Sequence, residues 1–193
     1  MFMYGKRVLI DMDGIIVDLL NPWIEAYNAK HPGTHFKIDD VHSWDLHLCT
    51  PYPNESDLSI YKIIEQPGWF RNLKPLPGAI EAVSKLQLNN ECYIVSTAGT
   101  PISYTEKIQW LNQYLPSFDK RNIILTGAKH LVQGDVLIDD SPANAAAYRK
   151  AWPHSKIVTI RYPYNTGCEA YDLIANNWKY TEAAWETILD YLL

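Results

Sequence analysis

"RVLIDMDGIIVDLL", residues 7–20, is the stretch on which the fold turns. Val8, Leu9 and Ile10 run straight into Asp11 and Asp13, followed by Gly14, more aliphatic residues and Asp18. A short, near-continuous apolar run reads as a strand buried on both faces, and hence as part of a parallel sheet. Carboxylates at the end of such a strand are costly unless something positive sits among them. The same pattern recurs along the chain. "CYIVSTAGT" carries Tyr93–Val95 into Ser96 and Thr97, and "NIILTG" spans 122–127. "DVLIDDSP" ends on Asp139 and Asp140, and "KIVTIRYP" ends on Arg161. The expectation is a parallel sheet of about five strands.

Helical patterns lie between these runs. "PLPGAIEAVSKLQLNN" places Ile80, Val83 and Leu86 at helix spacing. "SYTEKIQWLNQYL" offers a capping box, Ser103 with Glu106, and then an apolar face through Ile108, Leu111 and Leu115. "SPANAAAYRKAW" has Ser141 as N-cap and Pro142 at the first helical position. "YTEAAWETILDYLL" has Thr181 as cap and a stripe through Ala184, Trp185, Ile188 and Leu192. Strands alternating with helices predict an α/β, doubly wound, Rossmann-like parallel sheet with helices on both faces.

Residues 19–73 break the rhythm. They carry a helix pattern from Pro22 to about Lys30, a Pro/His-rich stretch and a second helix pattern from Ser56 to Glu65, with no strong strand signal. The reading is a small helical insertion after the first strand, with the core formed by 1–18 and 74–193. Its aromatics, among them Trp23, Tyr27, Phe36, Trp44, Tyr61, Trp69 and Phe70, read on content alone as a mini-core of the insertion.

The 193 residues suit one such core with an insertion. A net charge of −5 argues against a general binder of polymeric nucleic acid or of an anionic membrane, either of which wants a basic face. No apolar run approaches 18 residues, and "MFMYGKRVLI" lacks a secretory apolar region, so the cytoplasm is the expected location. Cys49, Cys92 and Cys168 are odd in number, widely spaced and without a CxxC pair, which fits a reducing compartment better than disulfides or zinc. The six histidines show no ligand spacing.

In open parallel sheets, ligands bind beyond the carboxyl ends of the strands near the topological switch point. That rule gathers Asp11, Asp13, Ser96, Thr97, Asp139 and Asp140 along one edge. Four carboxylates together repel, and a hard divalent cation such as Mg2+ resolves the repulsion. Ser96 and the backbone N–H groups of the Gly14 and Gly99 loops could hold an anion against it. The cluster therefore reads as metal plus phosphate. With Ser103 as N-cap, Lys107 falls in the first turns of its helix, where a cation opposes the macrodipole. A residue that breaks a local rule is often tied to a site. The plainer reading is a solvated surface lysine, and Lys129, in "TGAKHL", competes for the same role.

Asp-x-Asp-Gly after a first strand, then Ser/Thr, a lysine and an Asp-Asp pair, resembles the haloacid dehalogenase superfamily of phosphatases. The four motifs occur here in the same order, as "DMDGIIVD", "VSTAG", a lysine and "LIDDSP". "PGWFRNLKPLPGAIEAV", "YTEKIQWL" and "NNWKYTEAAWETIL" narrow the resemblance to the 5'(3')-deoxyribonucleotidases. The chain departs from that family at "STAGTP", which is longer than its usual phosphate segment, and through residues 30–62.

The resemblance makes residues 19–73 the small cap. It makes Asp11 the nucleophile that forms an aspartyl-phosphate, and Asp13 the general acid and then the base. Mg2+ would be held by Asp11, the Asp13 backbone carbonyl and one of Asp139 and Asp140, with Asp140 favoured for the direct bond. Ser96, Thr97 and Lys107 would bind phosphate, Lys107 being preferred to Lys129 because the family's lysine sits in a Glu-Lys pair. Trp44, Trp69 and Phe70 would flank a nucleobase, and Asp18 would mark the cap hinge. The implied substrate is a nucleoside monophosphate, deoxy and pyrimidine by preference, with room for a homodimer. Two other readings stay open: a phosphatase for another small phosphomonoester, and a receiver-like phospho-accepting module. Receivers normally carry an adjacent acidic pair and no cap, and Asp11-x-Asp13 favours turnover.

Overall fold

The computed structural model describes residues 5–50 and 61–193. Six parallel strands form one sheet: β1 (Arg7–Ile10), β2 (Glu91–Ser96), β3 (Ile123–Leu125), β4 (Val136–Ile138), β5 (Lys156–Arg161) and β6 (Leu173–Asn177). Their spatial order is β3-β2-β1-β4-β5-β6. Five are the expected strands. The sixth, "LIANN", ends in two asparagines and lies at the sheet edge with only Ala175 buried, so it lacks the aliphatic run that marks the others.

The helices are α1 (Leu20–Lys30), α2 (Trp69–Asn72), α3 (Ala79–Gln87), α4 (Pro101–Tyr114), α5 (Pro142–Ala151) and α6 (Thr181–Leu192). The period-two alternation of the strands sorts their side chains onto two faces. Val8, Ile10, Ile94, Ile138 and Val158 pack with Val83, Trp110 and Trp185 of α3, α4 and α6. Leu9, Val95, Leu137 and Ile157 pack on the other face with Ala145 and Tyr148 of α5. Helices thus cover both faces, as the doubly wound pattern requires.

Two helix starts differ from expectation. Helix α4 begins three residues early. Thr100 is its N-cap, accepting the Ser103 N–H at 3.2 Å, while the Ser103 hydroxyl accepts the Thr100 N–H at 3.0 Å. The capping box is real but shifted, because Pro101 is pre-set for the first helical position. Lys107 consequently lies two turns into α4, beyond the reach of the macrodipole argument. Thr181 is the first residue of α6 rather than its cap, and its hydroxyl donates to the Pro77 carbonyl. Ser141 caps α5 as expected. Of the helix expected over 56–65, residues 56–60 lie outside the described residues, and 62–65 form turns rather than helix.

The chain leaves and rejoins the core at one place. The Asp18 N–H donates to the Lys74 carbonyl at 2.9 Å and the Leu76 N–H to the Ile16 carbonyl at 2.9 Å, and Val17 bridges Pro75. Asp18 also accepts the Asn21 N–H at 3.2 Å, closing the open start of α1. Inside this loop Trp23, Tyr27 and Phe36 pack together, yet the cluster is continuous with the sheet core.

Candidate active site

The site lies at the carboxyl ends of β1, β2 and β4. β1 continues to β2 on one side, whereas β4 adds on the other, so the strand order reverses between β1 and β4. Asp11 follows β1 and Asp139 follows β4 across that crevice. One carboxylate oxygen from each of Asp11, Asp139 and Asp140 lies within 4.8 Å of the others, all three residues being buried.

Two lysines divide the acids. Lys129, buried in a short 3-10 turn, places its ammonium 2.7 Å from both Asp11 Oδ2 and Asp139 Oδ2. Burial pushes that ammonium down, but Asp11 and Asp139 outweigh it and hold it well above the ordinary lysine value. Lys107, also buried, donates to Asp13 Oδ2 at 2.5 Å, to Ser96 Oγ at 2.9 Å and to the Thr97 carbonyl at 2.7 Å. The choice posed by the sequence between the two lysines dissolves, because both are in the cluster and Lys129 is the one on Asp11.

The carboxylates are not equivalent. Burial raises Asp13 above the ordinary carboxylate value despite Lys107. Asp139 has both oxygens engaged, by Lys129, the Ser141 N–H and the Asn144 amide, and burial still holds it up at about 6. Burial, with Asp11 and Asp139 nearby, raises Asp140 further. Among the described residues, Asp140 Oδ1 and Asp13 Oδ1 are buried without a hydrogen-bond partner. Buried acceptors left open beside a cluster of acids are what a hard, oxygen-seeking cation requires, so the donor set fits Mg2+. The full satisfaction of Asp139 leaves Asp140 as the carboxylate with an oxygen to offer.

Local backbone makes this approach possible. Gly14 has φ +72°, and a Cβ there would stand 2.1 Å from Asp140 Oδ2. Only glycine accommodates both the conformation and the contact. The Gly14 carbonyl accepts the Tyr162 hydroxyl at 2.9 Å.

The proposed phosphate and base residues fare unevenly. Ser96 is fully buried beside Lys107. Thr97 turns its hydroxyl to the Thr126 carbonyl at 3.3 Å and contributes its own carbonyl to Lys107, so its side chain is not in the cluster. Phe70 lies with its ring 4.8 Å from the Lys107 ammonium. Trp69 does not join it. Neighbours on a helix diverge by about 100°, and Trp69 lines a separate hollow with Ala26, Lys30 and Gln66, its indole N–H buried without a partner among the described residues. Trp44 does reach the site. It lines a cavity of about 380 Å3 that runs from Asp13, Gly14, Asp140 and Tyr164 to Leu19, Leu20, Asp45, Leu46, Tyr61 and Ile64.

Asn165 and Tyr164 escaped the sequence reading, and Glu106, read there as the capping partner of Ser103, has another role. Glu106 is buried and accepts the N–H groups of Gly68 at 2.5 Å and Phe70 at 3.0 Å, tying the returning chain to α4 beside Lys107. Asn165 is fully buried, donating to the carbonyls of Ile160 and Asp140 and accepting the Tyr162 N–H. Tyr164 donates to Asp140 Oδ2 at 2.5 Å. The last two stand in "RYPYN", directly after a strand that ends at the site edge, and that position was the available signal.

Residues 6–186 match the family model described as 5' nucleotidase, deoxy (pyrimidine), cytosolic type C protein. A Staphylococcus aureus protein, provisionally named a 5'(3')-deoxyribonucleotidase, is 34% identical over 141 residues, 72% of this chain and 76% of its own. The 5'(3')-deoxyribonucleotidase of Bacillus subtilis is 31% identical over 144 residues, 74% of this chain and 80% of that one. A haloacid dehalogenase-like hydrolase from Streptococcus pneumoniae superposes with a TM-score of 0.64 at 13% identity, covering 98% of this chain and 99% of its own, a likeness of fold. With the motif acids gathered at the switch point of such a sheet, the chain belongs to the deoxy (pyrimidine) cytosolic type C 5' nucleotidase family, phosphoric monoester hydrolases with a haloacid dehalogenase-like fold.

Proposed function

We propose that the chain is a cytoplasmic, Mg2+-dependent phosphomonoesterase acting on nucleoside monophosphates, deoxyribonucleoside 5'(3')-monophosphates first among them, through an aspartyl-phosphate. The observation that carries this reading is the polarity of the cavity. Asp13 and Asp140 stand at one end, and Trp44, Tyr61, Leu19 and Leu46 at the other, where Asp45 accepts the Tyr61 hydroxyl at 2.7 Å. A nucleoside monophosphate has that same polarity, anionic at the phosphate and flat and largely apolar at the base, where stacking adds roughly 1–3 kcal/mol. Residues 19–73, which supply that apolar end, act as the cap.

In this mechanism Asp11 attacks phosphorus, and the bond from phosphorus to the leaving oxygen breaks. Asp13, whose burial favours the protonated form, gives its proton to that oxygen. The ionised Asp13 then takes a proton from water, which attacks the phosphorus of the aspartyl-phosphate and releases phosphate and free Asp11. Lys107 and Ser96 hold the phosphoryl oxygens, and Lys129, 2.7 Å from Asp11 Oδ2, keeps Asp11 aimed. Asp11 and Asp140, with the Asp13 carbonyl, would hold Mg2+, and Asp139 would stand behind them on Lys129. Bound there, Mg2+ supplies positive charge against the phosphoryl group and the nucleophile.

A phosphate-release screen over ribo- and deoxyribonucleoside 5'- and 3'-monophosphates, with Mg2+ and with a chelator, tests the proposal. Deoxynucleotides should be hydrolysed with Mg2+ alone, and Asp13→Asn should lose turnover while staying folded. Activity confined to sugar phosphates would reject the nucleotide reading and leave the phosphatase one.

A further inference from the structure

The loop after β5 contributes two tyrosines whose rings stack, 5.2 Å apart and 8° from parallel. Both hydroxyls end in the site, Tyr162 on the Gly14 carbonyl at 2.9 Å and Tyr164 on Asp140 Oδ2 at 2.5 Å. The loop is anchored from beneath by Asn165, whose amide spans the Asp140 and Ile160 carbonyls and the Tyr162 N–H. The Tyr164 ring also forms the wall of the cavity, with Trp44 set edge-on against it at 5.4 Å. Tyr164 therefore touches both ends of the cavity: one of its carboxylates and one of its aromatic walls.

We infer that Tyr164 is a positioning residue that couples the cation site to the base end of the substrate cavity. Its hydroxyl occupies Asp140 Oδ2 and leaves Oδ1, which has no partner among the described residues, as the oxygen presented to a cation. Its ring backs Trp44, so the same side chain sets the width of the slot in which a base lies. Outer hydrogen bonds of this kind fix the rotamer of a metal-binding carboxylate, and losing one typically costs about 10–100-fold in metal affinity. The inference rests on the proposed nucleotide reading only for its second half. The cation half stands on Asp140 alone.

The test separates hydroxyl from ring. Calorimetric titration of Mg2+ into metal-free protein, without substrate, should show Tyr164→Phe binding at least about tenfold more weakly than the native chain. At saturating Mg2+ its KM for a deoxynucleoside monophosphate should stay within about twofold of native, since the ring remains. Tyr164→Leu should show the same loss of Mg2+ affinity and in addition a KM raised about tenfold, with kcat at saturating Mg2+ changed far less. Near-UV circular dichroism confirms that both variants are folded. Equal or tighter Mg2+ binding by Tyr164→Phe would overturn the positioning role, tighter binding meaning that the hydroxyl competes with the ion. An unchanged KM in Tyr164→Leu would overturn the coupling. Failure of the native chain to hydrolyse any nucleotide would reject the proposed function and the coupling with it, while the Mg2+ comparison would still decide the role of the hydroxyl.

Discussion

At the scale of single residues, two buried lysines divide three of the acids, Lys129 taking Asp11 and Asp139 and Lys107 taking Asp13. Lys129 sits between Asp11 and Asp139 with almost no access to water, whereas Asp13, the partner of Lys107, keeps a fifth of its side chain exposed. Removing one member of a fully buried pair strands the charge left behind, at about 3–5 kcal/mol. Lys129→Met, in the presence of a chelator, should therefore lower stability by about that amount in urea denaturation. Lys107→Met should lose turnover with a smaller loss of stability, because water reaches Asp13. Equal destabilisation by the two variants would mean that Lys129 is not the main counter-charge. Lys129 was the harder residue to find by reading the chain. It lies in a 3-10 turn with no periodic pattern around it, and its distance from Asp11 is set by sheet order, which no local spacing reveals.

At the scale of elements, α4 organises one side of the site. Ser103, Glu106, Lys107 and Trp110 are buried in succession along it, and the indole of Trp110 donates to the Leu73 carbonyl at 2.9 Å. Glu106 and Trp110 together hold the chain where it returns from the insertion, so residues 68–73 are fixed against the helix that carries Lys107. Glu106→Ala would leave buried N–H groups without an acceptor, at about 1–3 kcal/mol. It should lower the urea midpoint accordingly and hasten proteolytic cleavage near residue 68. Retention of the native midpoint would mean that water replaces the carboxylate. The helix itself was legible from Ile108, Leu111 and the Ser/Glu spacing, but its first turn was not. Thr100-Pro101 and Ser103-x-x-Glu106 are both valid starts locally, and Glu106 is taken up by the returning chain instead of capping the helix. Trp69 was misplaced for a similar reason, since a four-residue helix has too little pattern to say which of two adjacent aromatics faces inward.

At the scale of the whole molecule, the reversal of strand order between β1 and β4 decides where the acids meet; the alternating pattern of strands and helices was enough to place them along one sheet edge, but not to give the strand order. The tertiary second layer was not foreseeable: "RYPYN" carries no motif, and Tyr164 and Asn165 matter only because β5 lies beside β4. The result is a fold that stores unfavourable charge at its switch point, and this dictates how stability answers to metal and to pH. Burial holds Asp139 at about 6, above its ordinary 3.8. A carboxyl raised on folding favours the native state while it is protonated, and this contribution is lost as pH rises from about 4 through about 6. Above that range the ionised acids must be compensated, and Mg2+ is the group that the open oxygens of Asp140 and Asp13 fit. Mg2+ at about 100 times its dissociation constant should add about 2.7 kcal/mol, or roughly 5–10 °C in Tm for a chain of this size. Protons compete for the same oxygens, so the gap in Tm between Mg2+-loaded and chelator-treated protein should be wide at pH 7.5 and narrow at pH 5. Thermal unfolding under those four conditions checks it. A gap that is the same at both pH values would place the ion away from the buried acids, and the absence of any gap would remove the cation from the site.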